Sequence, residues 1–323
     1  MDNFWQKLER PFFVLAPMAD VTDMAFRQII VSCGKPDVLY TEFVSCDGLC
    51  SEKGKLKLMP HLRFKENERP IVAQFFGSKP ENFYTCAQLA VELGFDGIDI
   101  NMGCPDKSVE KQGAGAMLIN NPKLAQEIIR ETKKGGDKLP VSVKTRLGYN
   151  KIITKEWVSY LLESEPAAII IHGRTRKEVS SVPAHWDEIG VAKEIAKNAK
   201  TLIIGNGDVV DLNDAKKKAR DYNLDGIMVG RGIFTNPWFF SDEGGPVFSG
   251  SDSFKKTPEQ RIELMLEHLD NFEKLWGSNG KFDTMKKFFK VYISGFDGAK
   301  ELRTKLMVVK NKQEVVDILA KTM

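Results

Sequence analysis

The chain of 323 residues carries 42% hydrophobic and 28% charged residues with a formal net charge of +3, which excludes a disordered protein and leaves room for a large buried core. No apolar run approaches the ~20 residues of a membrane span, and the amino-terminal MDNFWQKLERPFF lacks the basic head and apolar segment of a secretory signal, so a cytoplasmic location is expected. Five cysteines at 33, 46, 50, 86 and 104 follow no disulfide framework and read as free thiols; Cys46 and Cys50 lack the second ligand pair that structural zinc needs, so no metal is expected.

Phe12 to Ala16 is the first apolar run, stopped by Pro17-Met18 and followed by Thr22-Asp23, a helix-start signal for Met24 to Cys33. Val38 to Phe43 and Ile71 to Phe76 read as strands, Ser78 to Leu93 as a helix with Pro80 in its first turn, and Gly97 to Asn101 as a fourth strand. The alternation then continues with helices Pro122 to Lys134, Thr154 to Glu163, Trp186 to Asn198 and Leu212 to Tyr222. They lead to strands Val141 to Lys144, Ala167 to His172, Thr201 to Gly205 and Gly226 to Gly230. Eight strands separated mostly by helices imply an α/β parallel sheet. A doubly wound sheet would carry a phosphate fingerprint after its first strand, and Ala16-Pro17-Met18 stands there instead. The expected fold is therefore a (β/α)8 TIM barrel. The Gly-, Ser-, Asp- and Pro-rich segment Asp242 to Ser253 marks a boundary. Beyond it Pro258 to Trp276, Asp283 to Ile293, Gly298 to Met307 and Gln313 to Lys321 have helical spacing. The division expected is a barrel over 1–241, a linker over 242–256 and a small helical bundle over 257–323. From Lys255 onward 14 Lys and Arg face 10 Asp and Glu, a modestly basic tail that permits nucleic-acid contact.

Active sites of such barrels sit at the carboxyl ends of the strands. The strand ends here carry Ala16-Pro17-Met18, Glu42, Gln74, Asn101 with Cys104, Lys144 with Arg146, His172 with Arg174, Asn206 with Asp208, and Gly230-Arg231. A ring of polar groups at one end of a sheet points to a polar ligand, because unpartnered they would be costly to bury. IIGNGDV and IMVGRGI, at the last two strand ends, are where a barrel usually holds a phosphate, and one such site suits a mononucleotide cofactor such as FMN. Lys144 would stabilise an anionic reduced flavin ring, and Gln74 and Asn101 offer hydrogen bonds to ring or substrate carbonyls. Pro105 holds Cys104 extended on an open loop, where a thiol of pKa about 8.5 is a proton donor more than a nucleophile. His61, His185 and His268 lack comparable company and read as surface or structural residues.

APMADVTDMAFR, TEFVS, QFFGSKPENF, DINMGCPDKSVEKQGAGAML, VKTRLG, HGRTR, GNGDV and MVGRGIFTNPWFF, in this order, resemble the tRNA-dihydrouridine synthases, and MKKFFKVYISGFDGAKELRTKL resembles that family's helical segment. The resemblance implies an FMN-bound barrel with a helical tRNA-binding domain, which uses NADPH to reduce the C5–C6 double bond of a tRNA uridine. It implies hydride delivery to C6 and protonation of C5 by Cys104. The implied FMN contacts are Ala16, Pro17, Met18, Gln74, Lys144, His172, Asn206, Gly207, Asp208, Gly230 and Arg231, with Asn101 and Arg174 joining the substrate pocket. A monomer is expected. Two departures stand out: Ser180, Val182 and His185 replace the family's usual residues after HGRTR, and Phe288 stands where many members have histidine, which bears on the RNA contacts. The competing readings are an FMN barrel acting on a free pyrimidine, similar to the dihydroorotate dehydrogenases, and a tRNA-binding protein without catalysis.

Overall fold

A computed structural model describes residues 3–241, 256–277 and 280–322. The chain runs β1 (Phe12–Leu15), α1 (Met24–Gly34), β2 (Leu39–Ser45), α2 (Cys46–Leu49), α3 (Glu52–Leu58), β3 (Ile71–Phe76), α4 (Pro80–Glu92), β4 (Gly97–Met102), α5 (Lys107–Glu110) and α6 (Pro122–Gly135). It continues through β5 (Val141–Arg146), α7 (Thr154–Leu162), β6 (Ala168–His172), α8 (Trp186–Ile195), β7 (Leu202–Asn206), α9 (Leu212–Asp221) and β8 (Gly226–Val229). All neighbouring strands are parallel, in the order β1-β8-β7-β6-β5-β4-β3-β2. The ring closes just ahead of β2, where Val14 bridges Val38 and the Leu15 N–H donates to Val38 O at 3.1 Å. Closure leaves no exposed sheet edge, which is the physical advantage of a barrel. The strand elements expected from sequence are all present, with ends shifted by a residue or two. The short helices α2 and α3 were not legible, because α3 buries none of its residues and so shows no apolar period.

Strand alternation sorts the side chains into two apolar clusters. Ile98, Ile100, Val143, Ile169, Ile171, Ile203 and Ile227 face the surrounding helices. Phe12, Val14, Tyr40, Val72, Ala168, Ile170, Leu202, Ile204 and Met228 fill the barrel interior. The amino-terminal turn Phe4–Lys7 inserts Trp5 beneath them, its ring 5.6 Å from that of Phe12. The floor of the barrel is thus apolar and closed, which confines polar chemistry to the other end.

Beyond residue 255 the chain forms α10 (Pro258–Trp276), α11 (Asp283–Lys286), α12 (Phe289–Tyr292), α13 (Ala299–Leu306) and α14 (Lys312–Thr322). Thr257 and Gln260 bond each other's backbone N–H in a capping box that starts α10. The helix expected over Asp283 to Ile293 is interrupted: Phe288 N–H donates to Met285 O and Val291 N–H to Phe288 O, a three-residue spacing that tightens the chain between α11 and α12. The linker expected at 242–256 lies, except for Lys256, outside the described residues. Among the described residues no helix is long and apolar enough to cross a membrane.

The tail helices dock on α1. Phe288 lies 5.0 Å from Phe26, 6.1 Å from Phe234 and 4.7 Å from the His268 ring, and the Tyr292 hydroxyl hydrogen-bonds His268 Nδ1 at 2.9 Å. Burial, with Lys287 nearby, pushes the His268 pKa down to about 3, so its ring is neutral and serves as packing. At the far end of α10 the Trp276 indole N–H donates to Asp23 Oδ2 at 2.7 Å. Phe288, which the sequence placed among possible RNA contacts, is only 2% exposed and belongs to this buried seam. Replacing Phe288 with alanine leaves a cavity between α1 and the tail, and is expected to cost about 3–5 kcal/mol of stability, read as a lowered midpoint in urea unfolding.

Candidate active site

The polar half of the barrel interior begins with Asp99, which β4 turns inward between two isoleucines that face the helices. Its carboxylate accepts from Ser142 Oγ at 2.6 Å and from Gln74 Nε2 at 2.7 Å. Those bonds orient the Gln74 amide, whose Oε1 accepts from Asn101 Nδ2 at 3.1 Å. Asn101 is thereby turned so that its Oδ1 accepts from the backbone N–H groups of Gly103 and Cys104, at 3.1 and 2.9 Å. A chain of four side chains, Ser142, Asp99, Gln74 and Asn101, therefore sets where the Cys104 loop begins. Complete burial pushes the Asp99 carboxyl up to about 7, against the lowering effect of its two hydrogen bonds and of Lys144.

The loop is held from its other side as well. The Cys104 carbonyl accepts from Ala116 N–H at 3.0 Å, and a Cβ on Gly115 would stand 2.7 Å from that oxygen at a φ of +60°, so only glycine fits there. Arg146 donates from Nε to Gly103 O at 2.7 Å and from Nη1 to Thr175 O and Val179 O, both at 3.1 Å. This one guanidinium ties the cysteine loop to the segment after β6. The Cys104 thiol is partly exposed; burial raises its pKa, opposed by the Asp106 backbone bond and the nearby Arg146 and Lys144 charges.

Beside this loop lies a cavity of about 630 Å³, within the size range of small-molecule sites. Ala16, Pro17, Met18, Lys144, His172, Asn206, Gly207, Asp208, Gly230 and Arg231 line it together, so of the cofactor candidates only Gln74 stands outside. Gln74 is fully buried beneath, in the network just described. Asn101, Cys104 and Arg174 are also absent from the lining. Arg174 is instead buried behind it, pairing with Asp208 and donating to Val182 O at 2.6 Å. Arg146, which the sequence placed at a strand end without a ligand contact, and Ser180, noted there only as a departure, also line the cavity, with Met228, Asn236 and Phe239, which sequence reading left out. The NPWFF run after β8 was visible in the motif, but nothing local announced that its loop folds back over the mouth. Asp99 had a signal, an acid flanked by Ile98 and Ile100 in a strand.

The cavity is electropositive. Burial pushes Lys144 down to about 8, helped by Arg146, and its Nζ donates to Asn206 Oδ1 at 3.3 Å. Burial also drops His172 to about 2, with Arg146, Lys144, Arg174 and Arg231 adding to the effect. A neutral His172 accepts at Nε2 from Arg174 Nη1 at 3.2 Å, which assigns its proton to Nδ1. Burial would raise Asp208, but its bonds from Arg174 and the Ala184 N–H outweigh that and hold it below the usual carboxylate value.

A family model described as Dihydrouridine synthase (Dus) matches residues 14–323. The chain is 43% identical over 322 residues to the "Probable tRNA-dihydrouridine synthase 2" of Bacillus subtilis (strain 168), covering 98% of this chain and 96% of that protein. It is 43% identical to the "Probable tRNA-dihydrouridine synthase" of Staphylococcus aureus (strain COL), covering 99% and 94%. In fold it is similar to the 6-hydroxypseudooxynicotine amine oxidase of Pseudomonas geniculata N1, with a TM-score of 0.53 and 15% identity over 70% of this chain and 46% of that one. The last likeness concerns the fold alone, and this chain spans less than half of that protein.

Replacing Asp99 with leucine leaves the buried Ser142 hydroxyl and Gln74 amide without their acceptor. It is expected to cost about 2–5 kcal/mol of stability, whereas Asp99→Asn, which keeps the shape and one acceptor, is expected to cost about 1–3 kcal/mol. Urea unfolding of the two variants checks the order.

Proposed function

Because the chain belongs to the dihydrouridine synthase family, we propose that it reduces the C5–C6 double bond of a uridine in tRNA, with FMN as its flavin and NADPH as the reductant. The observation that carries this reading is a cation-rich cavity of flavin size next to a loop that presents a protonated thiol. The residues fit a phosphorylated flavin. A Cβ on Gly230 would find nothing nearer than Ala16 Cβ at 3.7 Å and Met18 Sδ at 3.9 Å, so the backbone there is open to a group lying against it. Arg231 is largely exposed, and its ion pair to Asp208 is long at 3.4 Å, which leaves the guanidinium available to a phosphate. The backbone N–H groups of Gly207 and Asp208 and the Gly230-Arg231 turn would hold that phosphate, while Lys144, Asn206 and His172 would face the ring.

A bound flavin supplies a two-electron reductant. The chain's own residues then do three things. Lys144, with its charge in a dry site, favours negative charge on the ring it faces. Cys104 keeps its proton on Sγ at neutral pH because burial raises its pKa, so it can deliver that proton to C5 of a uracil. The Asn101 bonds to the Gly103 and Cys104 N–H groups fix the loop from which Sγ approaches. A uracil must leave its stack to enter such a mouth. In this reading residues 257–323 hold the tRNA body by phosphate contacts that weaken with salt, and the site of action is the cytoplasm.

The direct test supplies the purified protein, reconstituted with FMN, with NADPH and unmodified tRNA, and measures dihydrouridine by nucleoside mass spectrometry. Dihydrouridine in tRNA is expected; turnover with free uracil or uridine alone overturns the reading. Cys104→Ala is expected to lower the rate by about 10²–10⁴-fold with flavin binding retained. FMN affinity, followed by flavin fluorescence, is expected to fall as pH rises through about 8, where Lys144 loses its charge, and Lys144→Gln is expected to remove that dependence.

A further inference from the structure

Three of the five cysteines meet outside the active site. Cys46 opens α2, Cys50 caps its end, and Cys86 lies in the middle of α4, which packs against it. The Cys86 Sγ reaches Cys46 O at 3.9 Å, the same carbonyl that accepts the Cys50 N–H at 2.9 Å. The Cys50 Sγ in turn reaches Asn82 O, also at 3.9 Å, and Asn82 stands one helical turn before Cys86. Each sulfur thus lies against the backbone that carries the other, and the Cys86 thiol interacts with those of both Cys46 and Cys50. Cys46 and Cys86 are buried and Cys50 is exposed. A cavity of about 130 Å³ opens beside Cys50 and Cys86, walled also by Leu49, Leu89 and Lys55. Among the described residues no group of three or more His, Cys, Asp or Glu is arranged to hold a metal ion.

We propose that Cys86 and Cys50 form a peroxide-reactive dithiol, in which Cys86 is oxidised first through the small cavity and Cys50 closes a reversible disulfide between α4 and α2. The sulfurs differ in the required sense. Hydrogen bonds from Cys46 and then Cys50 hold the Cys86 pKa below the usual thiol value against burial, whereas burial pushes Cys50 to about 11. The Lys55 charge favours the thiolate at both. The Cys86 thiolate attacks one oxygen of hydrogen peroxide: the S–O bond forms, the O–O bond breaks, and the departing hydroxide takes up a proton as water. The Cys50 sulfur then attacks the Cys86 sulfur; the S–S bond forms, the S–O bond breaks, and the second water leaves with the Cys50 proton. Two thiols lose two electrons and one peroxide becomes two waters. None of these residues lines the 630 Å³ cavity, so the inference is independent of the proposed reaction.

The test treats the full chain, reconstituted with FMN, with hydrogen peroxide, blocks remaining thiols by alkylation, and maps peptides by mass spectrometry. Expected is a Cys50–Cys86 peptide that disappears on treatment with dithiothreitol, with flavin still bound. Cys50→Ser is expected to abolish the link and leave a sulfenic acid on Cys86 that dimedone traps. Cys86→Ser is expected to slow peroxide consumption by the α2–α4 thiols about 10-fold or more. Alkylation of all five cysteines after peroxide, oxidation confined to Cys104, or a link made only between Cys46 and Cys86 would each overturn the proposal. The Cys50 variant guards against misfolding, since its side chain is exposed.

Discussion

Everything at the mouth of this barrel depends on one buried carboxylate. Asp99 is fully buried in the interior, where Ser142 and Gln74 both donate to it. A buried polar group without partners would cost several kcal/mol, so the network must be satisfied throughout or not be there at all. Satisfying it fixes the Gln74 amide, which fixes Asn101, which fixes the backbone under Cys104. The geometry of the loop is in this way set from the centre of the barrel on one side, while Ala116 and Arg146 hold it on the other.

The same economy of groups appears in the charges. Lys144, Arg146, Arg174 and Arg231 converge on His172, and the response is a neutral imidazole rather than a fifth cation. Asp208 answers Arg174 and Arg231, which keeps the positive field directed at the cavity instead of dispersing it. Among the described residues Arg146 pairs with no carboxylate and donates to three carbonyls, so it acts as a tie between loops while remaining a source of potential. A buried cation without a partner is costly, and Lys144 answers with a pKa pushed down to about 8.

The tail is attached by an aromatic seam, to which Lys256 and Arg261 add their charges over the Trp238 ring. Phe26 and Phe234 from the barrel enclose Phe288 and His268 from the tail, and Trp276 reaches the carboxylate that caps α1. Since Asp23 ends the loop that carries Ala16, Pro17 and Met18 into the cavity, docking of the tail and shaping of the cavity share one turn of chain. Burial of these rings leaves Lys274, Lys281, Lys287, Lys290, Lys300, Lys305 and Lys310 exposed at the surface.

The sequence by itself determined the barrel and most of the cavity. Strand periodicity and helix-start signals are local, and the residues that end the strands are forced to one rim by the topology, so Lys144, His172, Asn206 and Arg231 were legible before any coordinates. What only the tertiary structure decided depends on contacts distant in sequence. Gln74 and Arg174 turned out to lie behind the lining, Asp99 to govern the network, Phe288 to be buried, and Cys50 and Cys86, 36 positions apart, to be neighbours. None of these follows from spacing along the chain, because each is set by which helix or strand packs against which, and that is fixed only when the whole barrel closes.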